Sequence, residues 1–353
     1  MIDVYFDYLL LLFSWYNMSM KIAFFEVSEK EKGIFLNSFQ GKEVSIFDGK
    51  ISKNNTKEME GVEVLSVFVD SVVDREIIDA LPSLKFIATR STGFDHIDCA
   101  YAKEKGILVA NVPAYGSHTV AEFAFGFILN FSRRIFENAQ NYAKDFNPNY
   151  TPTSEGFDLC GKTLGVIGTG KIGKNVIKIA KGFGMKVVAF DLYKDLNFAK
   201  ENDFEYVDLD ILLSVSDFST LHTPYSKENH HLLNREKILK MKNGSYLINT
   251  ARGELVDTEA VIYGLEHKII AGFASDVLEK EKQFRSEKKL SESNTLSEED
   301  KKILSLNHRL FEMPNVIITP HIAFFTSEAV ANILNTTILN INSYIEGKPI
   351  NLV

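Results

Sequence analysis

Gly168-Thr169-Gly170-Lys171-Ile172-Gly173 puts three glycines at the spacing that lets a backbone turn approach a pyrophosphate. The hexapeptide alone is a weak signal, because glycine-rich turns are common, but its surroundings strengthen it. The apolar run Leu164 to Ile167 reads as a strand before it, and the amphipathic stretch Ile172 to Phe183 as a helix after it. Asp191 closes the next apolar run, Lys186 to Phe190. Unpaired amides at such a helix start favour an anion. A carboxylate at Asp191 would accept hydrogen bonds from ribose hydroxyls and repel the extra phosphate of NADP, so NAD is the expected cofactor. The competing readings are a tight strand-to-helix turn with a surface aspartate, and a methyl-donor nucleotide in the same fold.

Three more segments carry side chains suited to proton transfer or anion binding: Asn249 to Gly253 with Arg252, Asp276 to Glu281 with several carboxylates, and Thr319-Pro320-His321. Each follows the carboxyl end of a predicted strand. In a doubly wound sheet that edge forms the ligand crevice, so an Arg, a carboxylate and a His could converge there across long sequence gaps. A carboxylate beside an imidazole favours the charged ring, and a guanidinium holds a carboxylate by paired hydrogen bonds. A metal is not expected. His230 and His231 lack a partner at helical ligand spacing, no CxxC or HExxH occurs, and both rings read as structural or solvent-exposed.

The elements that must position these residues form two series. From Lys21 to Val112, apolar runs (Ile22 to Phe25, Val44 to Phe47, Val64 to Val69, Phe86 to Thr89, Ile107 to Ala110) alternate with helical patterns such as Asp74 to Ala80. A second series supplies six strands: Leu164 to Ile167, Lys186 to Phe190, Asp217 to Leu221, Tyr246 to Asn249, Ile270 to Ala274 and Val316 to Thr319. Strands alternating with helices imply parallel sheets covered on both faces. Between the series, a long helix is expected from Thr119 to about Gln140, opened by a Thr119/Glu122 capping box. Being apolar nearly all round, it should be buried between domains or subunits. Residues 147–156 read as a loop or arm, and Glu328 to Ile345 as a helix that could pack back on the first series. The mixed-sign run from Glu279 to Lys302 reads as a solvated loop, with a helix capped at Ser297 by Asp300 in the link from Glu281 to Met313.

The chain has 353 residues, 45% of them apolar and 24% charged, which suits two ordinary globular domains. Its formal charge of −8 disfavours nucleic acid and anionic membranes as partners. Two cysteines, Cys99 and Cys160, fit a reducing, cytoplasmic setting and are expected to be buried small hydrophobes. Residues 1–19 hold an apolar run too short to span a bilayer, Tyr8 to Phe13, and no basic residue. They are expected to be an extension outside the fold, with Met20 a natural beginning.

The ordered motifs Arg90-Ser91-Thr92-Gly93-Phe94-Asp95-His96-Ile97-Asp98, Asn111 to Gly116, Thr119-Val120-Ala121-Glu122, the glycine turn, Leu221-His222-Thr223-Pro224, Asn249 to Asp257 and Pro314 to Thr326 resemble the NAD-dependent D-2-hydroxyacid dehydrogenases. The resemblance runs from Met20 onward. The long connection from Glu281 to His321 and the ending His321-Ile322-Ala323-Phe324-Phe325-Thr326 are similar to the D-lactate dehydrogenase branch, although the link here is longer and more charged.

The resemblance implies an α/β protein of two doubly wound parallel-sheet domains. A Rossmann-type NAD domain, residues 118–321, would be inserted into a flavodoxin-like substrate domain, 20–117 with 322–353, that closes by a hinge motion. It implies His321 as acid/base, Glu281 as its partner, and Arg252 as binder of the substrate carboxylate and carbonyl oxygen. Amides of Thr92 and Gly93 would bind the carboxylate, with Tyr115 and Phe324 bordering the side chain. For the cofactor it implies Gly168, Gly170, Lys171, Ile172 and Gly173 at the pyrophosphate, Asp191 at the ribose, and Thr223, Pro224 and Asn229 around the adenosine. Thr250 and Ala251 would stand at the nicotinamide side and Asp276 at its carboxamide. The expected function is hydride transfer between NAD(H) and a small 2-keto or D-2-hydroxy acid, pyruvate to D-lactate first, by a homodimer joined through the cofactor domains. The alternatives are another 2-keto acid, glyoxylate or bulkier, and a non-enzymatic NAD-sensing corepressor-like protein, which a chain ending at Val353 without a disordered tail disfavours.

Overall fold

The computed structural model describes residues 20–145, 154–286 and 296–353. The N-terminal extension, most of the expected arm near Pro148 and part of the charged link fall outside them. Two compact units result: one of residues up to Tyr115 together with Thr326–Val353, the other Gly116–Phe325.

The first unit is a five-stranded parallel sheet in the order β2-β1-β3-β4-β5, from Lys21–Phe24 (β1), Glu43–Ile46 (β2), Val62–Val67 (β3), Phe86–Thr89 (β4) and Leu108–Ala110 (β5). Alternate side chains of these strands feed two cores. Ile22, Phe24, Val64 and Phe86 pack on one face with Leu334 and Ile341 of the long C-terminal helix, Ser327–Ile345. Ala23, Phe25, Leu65 and Ile87 pack on the other with Ile77 and Ala102. Burial on both faces explains why the runs read as continuously apolar.

The second unit has seven parallel strands in the order β12-β11-β10-β9-β6-β7-β8. They are Thr163–Ile167 (β6), Lys186–Phe190 (β7), Glu205–Tyr206 (β8), Phe218–Leu221 (β9), Ser245–Asn249 (β10), Ile270–Ser275 (β11) and Val316–Ile318 (β12). Six strands were expected. The seventh, β8, pairs only two residues with β7 and is too short to leave a periodic signal. Strand order reverses between β9 and β6, the switch point where doubly wound sheets open a crevice.

Two other expectations are corrected. The helix at Thr119 starts earlier, at Ser117, with Gly116 as its cap and no side-chain cap bond, so Thr119 lies inside it. It also divides in two, Ser117–Arg133 and Ile135–Asp145, because Arg134 adopts a left-handed conformation with φ 51°. Its apolar face, with Ala121, Ala124, Phe125 and Ile128, is buried within the second unit beside Val176, Ile177 and Ala180. Neither cysteine is buried: Cys99 is partly exposed at a helix start and Cys160 is exposed in a turn. No helix among the described residues is long and apolar enough to cross a membrane.

Candidate active site

The carboxyl ends of adjacent strands carry the residues singled out by sequence. Along this edge β12 leads to His321, β11 to Asp276–Glu281, β10 to Thr250–Arg252 and β9 to Thr223–Pro224. Beyond the switch point, β6 leads to Gly168–Gly173 and β7 to Asp191. Parallel pairing alone places them on one side of the second unit.

The glycine turn runs from β6 into the helix Lys171–Gly182, with Gly170 as its cap. A Cβ at Gly173 would lie 2.0 Å from the Gly168 carbonyl oxygen, so any other residue would prise the turn from the helix. The amides of Lys171, Ile172 and Gly173 stand in the first helical turn, where no intrahelical acceptor exists. Asp191 fastens the turn from outside: one carboxylate oxygen accepts from the Thr169 amide at 2.6 Å and its hydroxyl at 2.9 Å, the other from the Tyr193 amide at 2.8 Å. The Thr250 hydroxyl is buried without a partner. Glycine cradle, orphan amides and unspent hydroxyl fit a dinucleotide. Asn229 is hydrogen-bonded within its own loop. Its amide group donates to the Pro224 carbonyl at 2.8 Å and accepts from the Ser226 amide at 2.7 Å, which shapes the loop rather than leaving a side chain extended.

Glu281 and His321 meet. His321 Nδ1 lies 3.0 Å from Glu281 Oε2, while Nε2 has no partner among the described residues. Burial would raise the Glu281 carboxyl, yet the hydrogen bond and charge of His321, aided by Arg285, hold it below the ordinary carboxylate range. His321 itself has φ 58°, left-handed for a residue with a side chain. Asp276 holds that shape. Its buried carboxylate accepts from Thr319 Oγ1 at 2.5 Å, the Ile322 amide at 2.9 Å and the Ala323 amide at 2.7 Å. Burial outweighs these donors and raises the Asp276 carboxyl. Sequence reasoning anticipated a ligand for Asp276 and missed this bracing of the histidine segment.

Arg252 sits at the end of β10 in a turn fixed by buried Asn249, which accepts from the Ala251 amide at 3.0 Å and donates to the Arg252 carbonyl at 2.8 Å. In the first unit, Asn111 donates to the Thr92 carbonyl at 2.7 Å, and Ser91 to that of Gly93 at 2.6 Å. The amides of Thr92 and Gly93 have no acceptor among the described residues. Tyr115 and Phe324 are half-buried, Phe324 packed edge-on to Phe325.

His231 is expected from the sequence to be a structural or solvent-exposed ring. Its Nε2 lies 2.7 Å from Oε1 of Glu279, which is 4% exposed and also accepts from Thr258 Oγ1 at 2.9 Å. With His230 this makes three potential ligand atoms within 4.8 Å of one another. The two rings, however, stack at 3.9 Å and 22°, so their in-plane lone pairs run side by side rather than converging on an ion. No sequence spacing could have shown the pair, since 48 residues separate its members.

Residues 125–323 match the family described as "D-isomer specific 2-hydroxyacid dehydrogenase, NAD binding domain". The chain belongs to the D-isomer specific 2-hydroxyacid dehydrogenases. It is 38% identical to the D-lactate dehydrogenase of Escherichia coli K12 over 93% of its own length and 98% of that protein. It is 36% identical to an aromatic 2-oxoacid reductase of Clostridium sporogenes over 92% and 96%. Among solved structures, D-lactate dehydrogenase from Aquifex aeolicus, complexed with NAD and lactic acid, superposes with a TM-score of 0.83 at 37% identity, covering 93% of this chain and 96% of that one. Membership makes this dehydrogenase an NAD-dependent oxidoreductase acting on 2-hydroxy acids and their keto partners.

Proposed function

We propose that the protein reduces pyruvate to D-lactate, with His321 as acid/base, Glu281 as its partner and Arg252 as substrate binder. The contact between His321 Nδ1 and Glu281 carries the reading. A carboxylate at Nδ1 fixes the orientation of the ring and leaves Nε2 as the nitrogen that can exchange a proton with a substrate oxygen. NADH supplies the hydride. His321 then protonates the developing alkoxide at Nε2, and in the reverse direction the neutral ring accepts the hydroxyl proton. Arg252 would pair with the substrate carboxylate, the amides of Thr92 and Gly93 would add to its binding, and Tyr115 and Phe324 would border the variable side chain. On the cofactor side, Lys171 and Ile172 offer amides to the pyrophosphate and Asp191 oxygens to the ribose. Thr223, Pro224 and Asn229 would line the adenosine side. Thr250, Ala251 and Asp276 would face the nicotinamide side.

The E. coli and A. aeolicus relatives are D-lactate dehydrogenases, which supports pyruvate here, while the C. sporogenes relative is an aromatic 2-oxoacid reductase, which supports a larger acid. One methylene changes discrimination by only about 1 to 3 kcal/mol, so a few border residues could move the preference. The test follows nicotinamide absorbance with NADH and glyoxylate, pyruvate or phenylpyruvate, resolving products by chirality. Fast consumption with pyruvate giving the D product supports the reading, and a maximum at phenylpyruvate replaces it. A cytoplasmic homodimer belongs to the same proposal. Ile135, Phe136 and Tyr142 are exposed on the helix Ile135–Asp145 and offer an apolar contact surface. Light scattering that gives a stable monomer would remove the dimer.

A further inference from the structure

The segment carrying Glu281 is gripped from behind by the helix of the charged link, Glu298–Glu312. Three points of that segment are held. Asn307, fully buried, donates from Nδ2 to the Glu279 carbonyl at 2.9 Å. Lys280, left-handed with φ 55°, places Nζ 3.1 Å from Asp300 Oδ1. Phe284 stacks on Phe311 with centroids 5.5 Å apart and lies 5.1 Å from the ring of His308. Glu281 stands among these anchors at the start of a five-residue helix, Glu281–Arg285, too short to be rigid by itself.

Asn307 is an expensive choice for a packing position. Its Oδ1 is buried with no partner, so a leucine would satisfy the core better unless the Nδ2 bond were needed. We propose that Asn307 and Asp300 are positioning residues that hold Glu281 against His321. The inference rests on reading Glu281 as the partner of the acid/base. A carboxylate that swings out of hydrogen-bond reach loses much of its effect on the ring, and the loss should appear in the pH dependence. The other charged or titratable groups around the pair are Arg285 on Glu281's own helix, Asp276 behind His321, Lys280 and Glu279 in the preceding turn, and Asp300 and His308 on the link helix.

The experiment uses the full chain with NADH and whichever 2-keto acid turns over best, and compares kcat/KM against pH for wild type, Glu281→Gln, Asn307→Leu and Asp300→Ala. Glu281→Gln should move the alkaline limb to lower pH. Asn307→Leu should move it part of the way in the same direction and lower kcat about tenfold, with NADH affinity by nicotinamide fluorescence unchanged. If Asn307→Leu does not fold, Asp300→Ala at the surface end of the contact should give a smaller movement of the same sign. A limb that moves in Glu281→Gln and stays put in the link-helix variant overturns the inference alone. A limb unmoved in Glu281→Gln overturns the reading of Glu281 as partner of the acid/base, and the inference with it.

Discussion

The glycine turn after β6 and the acid/base cluster after β11 and β12 lie on one edge of one sheet and are built in opposite ways. The turn uses six consecutive residues and offers mostly backbone: amides at a helix start, and hydrogen atoms where any side chain would collide. The cluster offers side chains from segments some forty residues apart, each oriented by another side chain. Glu281 orients His321, and Asp276 shapes the backbone under it. Binding an anion through backbone requires only local geometry, which a short motif can encode. Aiming an imidazole at a substrate requires a side-chain partner at a fixed distance, which only tertiary packing can hold.

Two substitutions should break the molecule along this line. His321→Gln should lower kcat about 10³-fold, the size of a general acid's contribution, while NADH titrated by fluorescence binds as before. Wild-type turnover would remove His321 from the chemistry. Gly173→Ala should do the reverse: NADH affinity about tenfold weaker or worse, since the new methyl meets the Gly168 carbonyl, with kcat at saturating NADH changed by no more than about threefold. A large fall in kcat at unchanged affinity would show that turn and cluster are mechanically one unit.

The same contrast governs what the sequence made legible. Apolar runs located the other strands of both sheets, most plainly those buried throughout such as β4 and β9, and failed at β8, which is two residues long. The capping signal at Thr119 misled because a glycine cap three residues earlier leaves no polar signature. At the acid/base site, three carboxylates, Asp276, Glu279 and Glu281, stand within six positions, and nothing in their spacing separates them. The family resemblance named Glu281. The structure distributes all three: Asp276 to backbone amides, Glu279 to His231 and Thr258, Glu281 to His321. Residues such as Asn307 had no signal at all, because a mid-helix asparagine in a charged link looks solvated until its burial is seen.

Asp191 sharpens the comparison from the cofactor side, since it is a side chain serving a backbone site. Asp191→Ala should reduce the preference for NADH over NADPH about tenfold to a hundredfold, by removing a negative charge that would face the extra phosphate. It should also weaken NADH itself, because the Thr169 amide and hydroxyl lose their acceptor. Kinetics with both cofactors check this, and unchanged discrimination would mean that Asp191 braces the turn without facing the ribose.

The smallest expected effect lies where the turn meets β9. His222 is buried there, with Nε2 2.9 Å from Thr220 Oγ1, and Nδ1 has no partner. Burial pushes this imidazole down to about 3, so it stays neutral in the folded protein at any pH of catalytic interest. In the unfolded chain the ring takes a proton near its ordinary value of about 6.5. Because the folded value is the depressed one, stability is full above about 6.5 and falls as pH drops from there toward 3, by on the order of 1 kcal/mol per pH unit. His222→Asn removes that proton uptake. The stability gap between wild type and variant in urea should therefore narrow between pH 7 and pH 5, with other titrations cancelling in the comparison. A constant gap would mean that solvent reaches the ring and that the turn is looser at β9 than its packing implies.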